Sequence, residues 1–202
     1  MKKNLKKYEL SREDLAFALL SPGRRFLDVG CGRGYLLSKA QNFFDELYGV
    51  DILRINIKEA IKNAPNAHLK IVDINKGLPF KNSMFDVLVC ISVLQFVLDP
   101  YFIVTELNRA LKRQGILIIN VPNIAYIKHR IKLFFGVLPQ TSIAPGWDGN
   151  TFHYFTLQSL KKLLQEQGFK IEKVSGSGIF AKYRNFYPSL LTGDLMIRAV
   201  KH

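Results

Sequence analysis

The sequence predicts an α/β fold built on a doubly wound, parallel sheet with helices on both faces. Three observations carry that expectation. Short apolar segments alternate with stretches of helical length along the chain. The segment MFDVLVCISVL is apolar almost throughout, as a strand buried on both faces must be. Gly30, Asp51, Asp73 and Ser92 each fall at a predicted strand end, and right-handed crossovers bring all such ends to the one edge where these sheets bind ligands.

The elements follow in order. Ser11 with Asp14 three residues on reads as a cap for a helix over 12–20, which Pro22-Gly23 ends. Strands are expected at 26–29, 47–50 and 68–72, with helices over 35–43 and 53–63 between them. After MFDVLVCISVL come a helix over 99–112, Gly115 and the strand ILIINV. The tail LLTGDLMIRAVKH reads as a final strand pairing antiparallel with FKIEKVSG. One domain over 1–202 accounts for the chain, with 1–22 as a basic helical segment and 124–152 as a lid or insertion.

Composition narrows the classes. At 48 % hydrophobic and 22 % charged, the chain has the make-up of a globular domain. Its 29 basic against 16 acidic residues give +13, a balance that suits anionic partners and equally suits plain solubility. Lysines cluster at Lys2, Lys3, Lys6 and Lys7 and again over 128–132, without the aromatic interleaving of an RNA-binding motif. Cys31 and Cys90 form neither a CxxC pair nor a disulfide framework, so a cytoplasmic, reducing location is expected. No apolar run reaches the roughly 20 residues that span a bilayer, and the basic start runs into Glu13 and Asp14 rather than the apolar core of a signal peptide. No His, Cys and Asp cluster has metal-ligand spacing.

The segment LDVGCGRGYLL carries the sharpest signal. A turn from strand to helix leaves little room for side chains, so glycines bare the backbone to a ligand facing the free N–H groups of the helix start. Gly30, Gly32 and Gly34 are spaced GxGxG, and Tyr35 stands where the dinucleotide pattern GxGxxG needs its third glycine, which points to a ligand without a pyrophosphate. Asp51 can accept from both hydroxyls of a ribose, or cap the following helix. Asp73 can accept from the amine of adenine with Ile74 against the ring, or simply make a turn before Asn75. Asp28 can face an ammonium or hold loop amides.

In order and spacing, FLDVGCGRGYLL, LYGVDI, IVDIN, FDVLVCISVLQFV and ALKRQGILIINVPN resemble the successive motifs of class I S-adenosylmethionine-dependent methyltransferases, over residues 26–123. HYFTLQSLKKLLQEQGFKIEKV is similar to the late helix and strand of the same fold. The resemblance implies a mostly parallel, seven-stranded Rossmann-like methyltransferase sheet with an antiparallel last strand, a small helical lid insertion, and S-adenosyl-L-methionine as cofactor. It places Gly30, Cys31, Gly32 and Gly34 along the methionine part with Asp28 near the amino group. Asp51 and Ile52 fall at the ribose, Asp73 and Ile74 at the adenine, and Ser92, Val93 and Gln95 beside the sulfonium. Within the superfamily, DINKGLPFKNSMFDVLVCISVLQ, NVPN and the stretch around Trp147 look like the type 11 and MetW-type branch. Arg33 departs from it, since MetW-type chains are more acidic after the glycine loop.

A sulfonium methyl is already activated, so aligning the nucleophile supplies most of the catalysis and a base helps where the nucleophile is a hydroxyl. His153 is the candidate base by residue type. It equally reads as an anchor beside Tyr154 and Phe155. In IAYIKHRIKLFFGVL (124–138), apolar residues recur at helical spacing while Lys128, His129, Arg130 and Lys132 crowd the polar side. Such a helix can rest on an anionic membrane as a peripheral contact; a lid whose apolar face covers an apolar or anionic acceptor is the favoured expectation. The favoured function is methyl transfer to a small-molecule or lipid-like acceptor. The alternatives are an RNA or protein methyltransferase and a non-catalytic, MetW-like partner of an acyltransferase. CISV standing where base methylases carry an Asn-Pro-Pro-Tyr-like motif argues against the first of these.

Overall fold

A computed structural model of the chain describes residues 11–141, 151–177 and 186–202. The lysine cluster at 2–7 and Trp147 in the insertion lie outside the described residues. Seven strands form one sheet: β1 (Gly23–Val29), β2 (Phe44–Asp51), β3 (His68–Ile71), β4 (Phe85–Ile91), β5 (Leu111–Pro122), β6 (Phe169–Ser177) and β7 (Asp194–Lys201). Their spatial order is β3-β2-β1-β4-β5-β7-β6. All pairs from β3 to β5 are parallel, and β7 runs antiparallel to both of its neighbours. The expected mostly parallel sheet with an antiparallel last strand is what forms. The strand order reverses between β1 and β4, so a crevice opens at their carboxyl ends.

Among the described residues seven helices flank the sheet: α1 (Arg12–Phe17), α2 (Tyr35–Ala40), α3 (Arg54–Asn63), α4 (Pro100–Ala110), α5 (Ile127–Phe134), α6 (Leu157–Glu166) and α7 (Pro188–Leu191). Their starts are written locally. Ser11 accepts from the Asp14 amide, Asp99 accepts from the amides of Tyr101 and Phe102 with Pro100 at the first turn, and Thr156 and Ser159 form a reciprocal capping box.

Alternation along the strands divides the core in two. Leu27, Leu88, Cys90 and Leu117 face one layer with Ile103 and Leu107 of α4 and Leu160 and Leu164 of α6. Phe26, Val87, Val89 and Ile118 face the other with Ala16 of α1, Leu36 and Leu37 of α2 and Ile57 of α3. β4 is covered on both sides, which explains its unbroken apolar run.

Element boundaries differ from the sequence expectation where polar residues are recruited into strands. β1 begins at Gly23 and β2 at Phe44 because these two residues pair and draw Arg24, Arg25 and Glu46 into the ladder. That pairing also stops α2 at Ala40, short of residue 43. β5 starts at Leu111, opposite Phe85, and regains register at Ile116 after an irregularity in which Gln114 takes φ 61°. The helix expected over 12–20 ends at Phe17, after which Leu19 and Leu20 donate to carbonyls only three residues back.

Candidate active site

The glycine loop between β1 and α2 is tied to β2. The amides of Gly30 and Cys31 both donate to the Val50 carbonyl, at 2.8 and 3.0 Å. All three glycines have positive φ, and each meets a different environment. A Cβ on Gly30 would lie 2.2 Å from Val93 Cγ2, and one on Gly34 would lie 3.0 Å from Ala60 of α3. A Cβ on Gly32 would meet nothing within 4 Å. Gly30 and Gly34 therefore permit packing of the loop itself, and Gly32 bares backbone to open space.

Asp51, at the end of β2, is buried and fastens this loop. Its Oδ2 accepts from the Gly32 amide at 2.9 Å, while Oδ1 accepts from the Leu53 amide at 2.8 Å and Asn56 Nδ2 at 3.1 Å. A cavity of about 370 Å³ opens beside it. Gly30, Gly32, Asp51, Ile52, Asp73, Ile74, Ser92 and Val93 all line that cavity, so eight of the expected positions converge on one space. Asp73 Oδ1 also accepts from the amide and side chain of Asn75 and caps a single 3₁₀ turn, so the turn-forming alternative operates here.

A smaller cavity of about 280 Å³ lies across the loop, with Gly30, Gly32 and Ile91 in its wall as well as in that of the first, and is further lined by Asp28 and Cys31. Burial pushes the Asp28 carboxyl up to about 7, and the charges of Asp51 and Glu13 add to the effect. Among the described residues no Lys or Arg pairs with it, and a cationic ligand group would supply the missing countercharge. Burial also raises both cysteine thiols, Cys90 to about 12, so neither is a thiolate at neutral pH.

A third and larger cavity, about 820 Å³, adjoins the first through Leu53, Asn56, Ser92 and Phe96. Gln95 lines this one and not the first. Its side chain is 2 % exposed; Nε2 donates to the Ser92 carbonyl at 3.0 Å, and Oε1 has no partner. Ser92 adopts φ 54°, a left-handed backbone for a residue with a side chain, and is held there by its neighbours. Its hydroxyl donates to Asn120 Oδ1 at 2.9 Å and accepts from Arg12 Nη1 at 3.0 Å, while Arg12 Nε sits 3.1 Å from Asp194 Oδ2.

On the opposite wall stand Tyr126 and His129. His129 Nδ1 lies 2.9 Å from the Asn123 carbonyl. A carbonyl can only accept, so Nδ1 carries a proton, and of the two neutral tautomers this contact selects the one with its lone pair at Nε2. Asn123 is fully buried and fixed by donating to the carbonyls of Ser189 and Thr192. His153 occupies a different place. Its Nε2 is 3.1 and 3.3 Å from the carbonyls of Val97 and Leu98, its amide donates to the Gln95 carbonyl, and it lines none of these three cavities. The geometry is that of an anchor for the loop after β4. Gly34 lines none of the three either, and acts as the left-handed start of α2.

Residues 2–174 match the family model described as the methyltransferase domain. The chain belongs to that family. The domain is that of an S-adenosylmethionine-dependent methyltransferase. The chain is 26 % identical over 180 residues to a probable S-adenosylmethionine-dependent methyltransferase of Mycolicibacterium smegmatis, covering 84 % of this chain and 62 % of that protein. It is 22 % identical over 173 residues to a ubiquinone biosynthesis O-methyltransferase of Glaesserella parasuis, covering 82 % of this chain and 73 % of the relative. The fold superposes on the S-adenosylmethionine-dependent methyltransferase of Mesorhizobium loti with a TM-score of 0.71 at 18 % identity, covering 95 % and 98 % of the two chains. The chain thus spans less than two thirds of the first of these relatives.

The methyltransferase's own residues fit the cofactor, S-adenosyl-L-methionine. Its ammonium would suit Asp28, which no Lys or Arg among the described residues pairs, its methionine part the open space over Gly32, its ribose the Asp51 carboxylate, and its base the apolar wall of Ile52, Ile74 and Val93. Sequence reasoning missed Asn56 and Phe96, which line the boundary between the two larger cavities, and Arg12, Tyr126, His129 and Asp194 around the third. All of them lay in segments read as elements or motifs, Arg12 beside the Ser11 cap and Tyr126 and His129 in the stretch 124–138, but no local pattern set them apart as cavity-lining residues.

The segment 124–138 also departs from expectation. It forms α5, but the side of the helix lining the cavity is the one bearing Tyr126 and His129, while Ile131, Phe134 and Phe135 are exposed. The apolar stripe faces away from the third cavity because Tyr126 is the residue buried under the helix.

Proposed function

We propose that this methyltransferase transfers a methyl group to a hydroxyl of a small, largely apolar or lipid-like acceptor seated in the third cavity. The observation that carries the reading is that cavity itself, which adjoins the first cavity at Ser92 and has His129, held through Nδ1 by the Asn123 carbonyl, on its wall. The O-methyltransferase relative supports an oxygen nucleophile. Bound S-adenosylmethionine supplies the activated methyl group. Asp28 holds the cofactor's ammonium, Asp51 its ribose hydroxyls, and Asp73 with Ile74 its adenine. Ser92 and Val93 shape the junction between the two spaces, and Gln95 Oε1 stands ready for a donor hydrogen of the acceptor. His129 takes the hydroxyl proton at Nε2, with the Asn123 carbonyl stabilising the imidazolium that forms. Residues 124–141 act as the lid over the acceptor, through Tyr126, His129, Gln140 and Thr141.

The test is transfer of radiolabelled methyl from the cofactor to a panel of phenols with and without alkyl tails, fatty acids, primary amines and bulk RNA. Label in the phenols, strongest for those with tails, is the expected result. Label confined to RNA or to the primary amines would overturn it, and cofactor binding with no transfer to any class would favour a regulatory partner.

A further inference from the structure

The stripe that α5 turns away from the cavity has a chemistry of its own. On a helical wheel of about 100° per residue, Ile127, Ile131, Phe134 and Phe135 fall on one sector, opposite Tyr126 and His129. No residue of α5 is buried. Phe134 is 85 % and Phe135 73 % exposed, their rings packed edge to face at 5.3 Å, and Ile131, Val137 and Leu138 are each about half exposed. A patch of this kind on a soluble face marks a docking site.

Charge identifies what docks. On the same wheel, Lys128 and Lys132 flank the stripe on one side and Arg130 on the other. Among the described residues none of the three pairs with a carboxylate, and Arg130 Nε donates to the Ala125 carbonyl. No Asp or Glu occurs in the sequence between Glu106 and Asp148. Two aromatic side chains at the tip, aliphatic neighbours and cations at the margins are what an interfacial helix needs: rings enter the acyl boundary while lysine and arginine stems reach up to anionic headgroups. A second copy of this chain fits poorly. Pairing the face with itself would bring its cations together, and each copy carries +13.

We infer that the outer face of α5 and the following Phe135–Leu138 turn is an anionic-lipid docking surface, which seats the mouth of the acceptor cavity at the headgroup layer. Docking stands on the exposed face alone and does not require the acceptor assigned above. No helix of the described residues is long and apolar enough to cross a membrane, so the contact is peripheral.

Flotation of the whole chain with phosphatidylcholine vesicles, with and without about 30 % phosphatidylglycerol, tests this. The expected result is binding to the anionic vesicles only. It should fall at least about tenfold in the F134S/F135S variant and in K128E/K132E, with thermal melting and cofactor affinity unchanged. Binding that survives F134S/F135S and disappears with added salt would reduce the effect to the general basicity of the chain and overturn the inference. Absence of binding to either vesicle would overturn it, as would a dimer in light scattering that F134S/F135S dissociates. Cofactor titration of the same samples separates these outcomes from failure of the methyl-transfer reading.

Discussion

Asp51 Oδ2 accepts the Gly32 amide proton across 2.9 Å, joining the end of β2 to the one glycine of the three in the β1–α2 loop whose missing side chain leaves open space. The same carboxylate receives the Leu53 amide and the Asn56 side chain, so it orders both the loop and the approach to α3. Replacing it by alanine removes a charged acceptor and leaves those amides unpaired, at about 1–3 kcal/mol each. Asp51→Ala is expected to weaken cofactor binding by at least about tenfold in calorimetry and to lower the melting temperature. Unchanged affinity would remove Asp51 from the cofactor site.

The glycines separate in the same way. Gly30→Ala carries the left-handed backbone penalty of about 1–2 kcal/mol and drives a methyl into Val93, so it destabilises the whole domain. Gly32→Ala bears only the backbone penalty but fills the bared space. It should melt closer to wild type than Gly30→Ala while losing more cofactor affinity per degree of melting temperature. Equal losses of both kinds in the two variants would contradict the assignment.

Asp28 makes cofactor binding depend on pH. Its folded-state carboxyl sits at about 7 against an ordinary 3.8, so the folded chain retains a proton that the unfolded chain has released. The associated stability is fully present below the ordinary value and is lost as pH rises through about 7. Asp28→Asn should therefore be more stable than wild type above that pH and should converge with it in acid. An ammonium ligand selects the carboxylate, so wild-type affinity for S-adenosylmethionine should rise by up to about tenfold per pH unit below 7, and the asparagine variant should show a flat profile.

The two histidines are predicted to fail differently. His129→Ala should cut methyl transfer by about 10²-fold or more and leave cofactor affinity intact. His153→Ala removes a donor from two carbonyls of the loop after β4, costing about 1 kcal/mol in thermal denaturation. A larger catalytic loss in the second variant than in the first would reverse their roles.

Much of this arrangement was legible in the chain because its signals are local. The GxGxG spacing, the acid ending β2 and the apolar run of β4 each fit within a dozen residues and reflect one physical demand. The polar ends of β1 and β2 were invisible, since Arg25 and Glu46 enter the ladder by pairing with each other at 3.0 Å and not by hydrophobic pattern. The third cavity was invisible for a stronger reason. Arg12 and Asp194 belong to opposite ends of the chain, and only the sheet order brings them together. His153 and His129 could not be ranked by residue type, because the distinction lies in which ring nitrogen meets a carbonyl. The helix in 124–138 was readable from its periodicity, but the direction of its apolar side was not, since periodicity fixes a face and not what that face meets.

The position of β7 also dictates an order of assembly. Among the described residues β6 pairs with no strand but β7, and β7 occupies the slot between it and β5. During synthesis on the ribosome, β1 to β5 can zip together as they emerge, whereas β6 must wait with an unpaired edge until residues 194–201 have been made. Lys201 then locks the inserted strand by donating to the carbonyls of Asn108 and Leu111, at 2.6 and 2.8 Å. The third cavity needs Asp194 and the Asn123 anchor to the Ser189 and Thr192 carbonyls, so a nascent chain can form the walls of the first cavity before it can close those of the third.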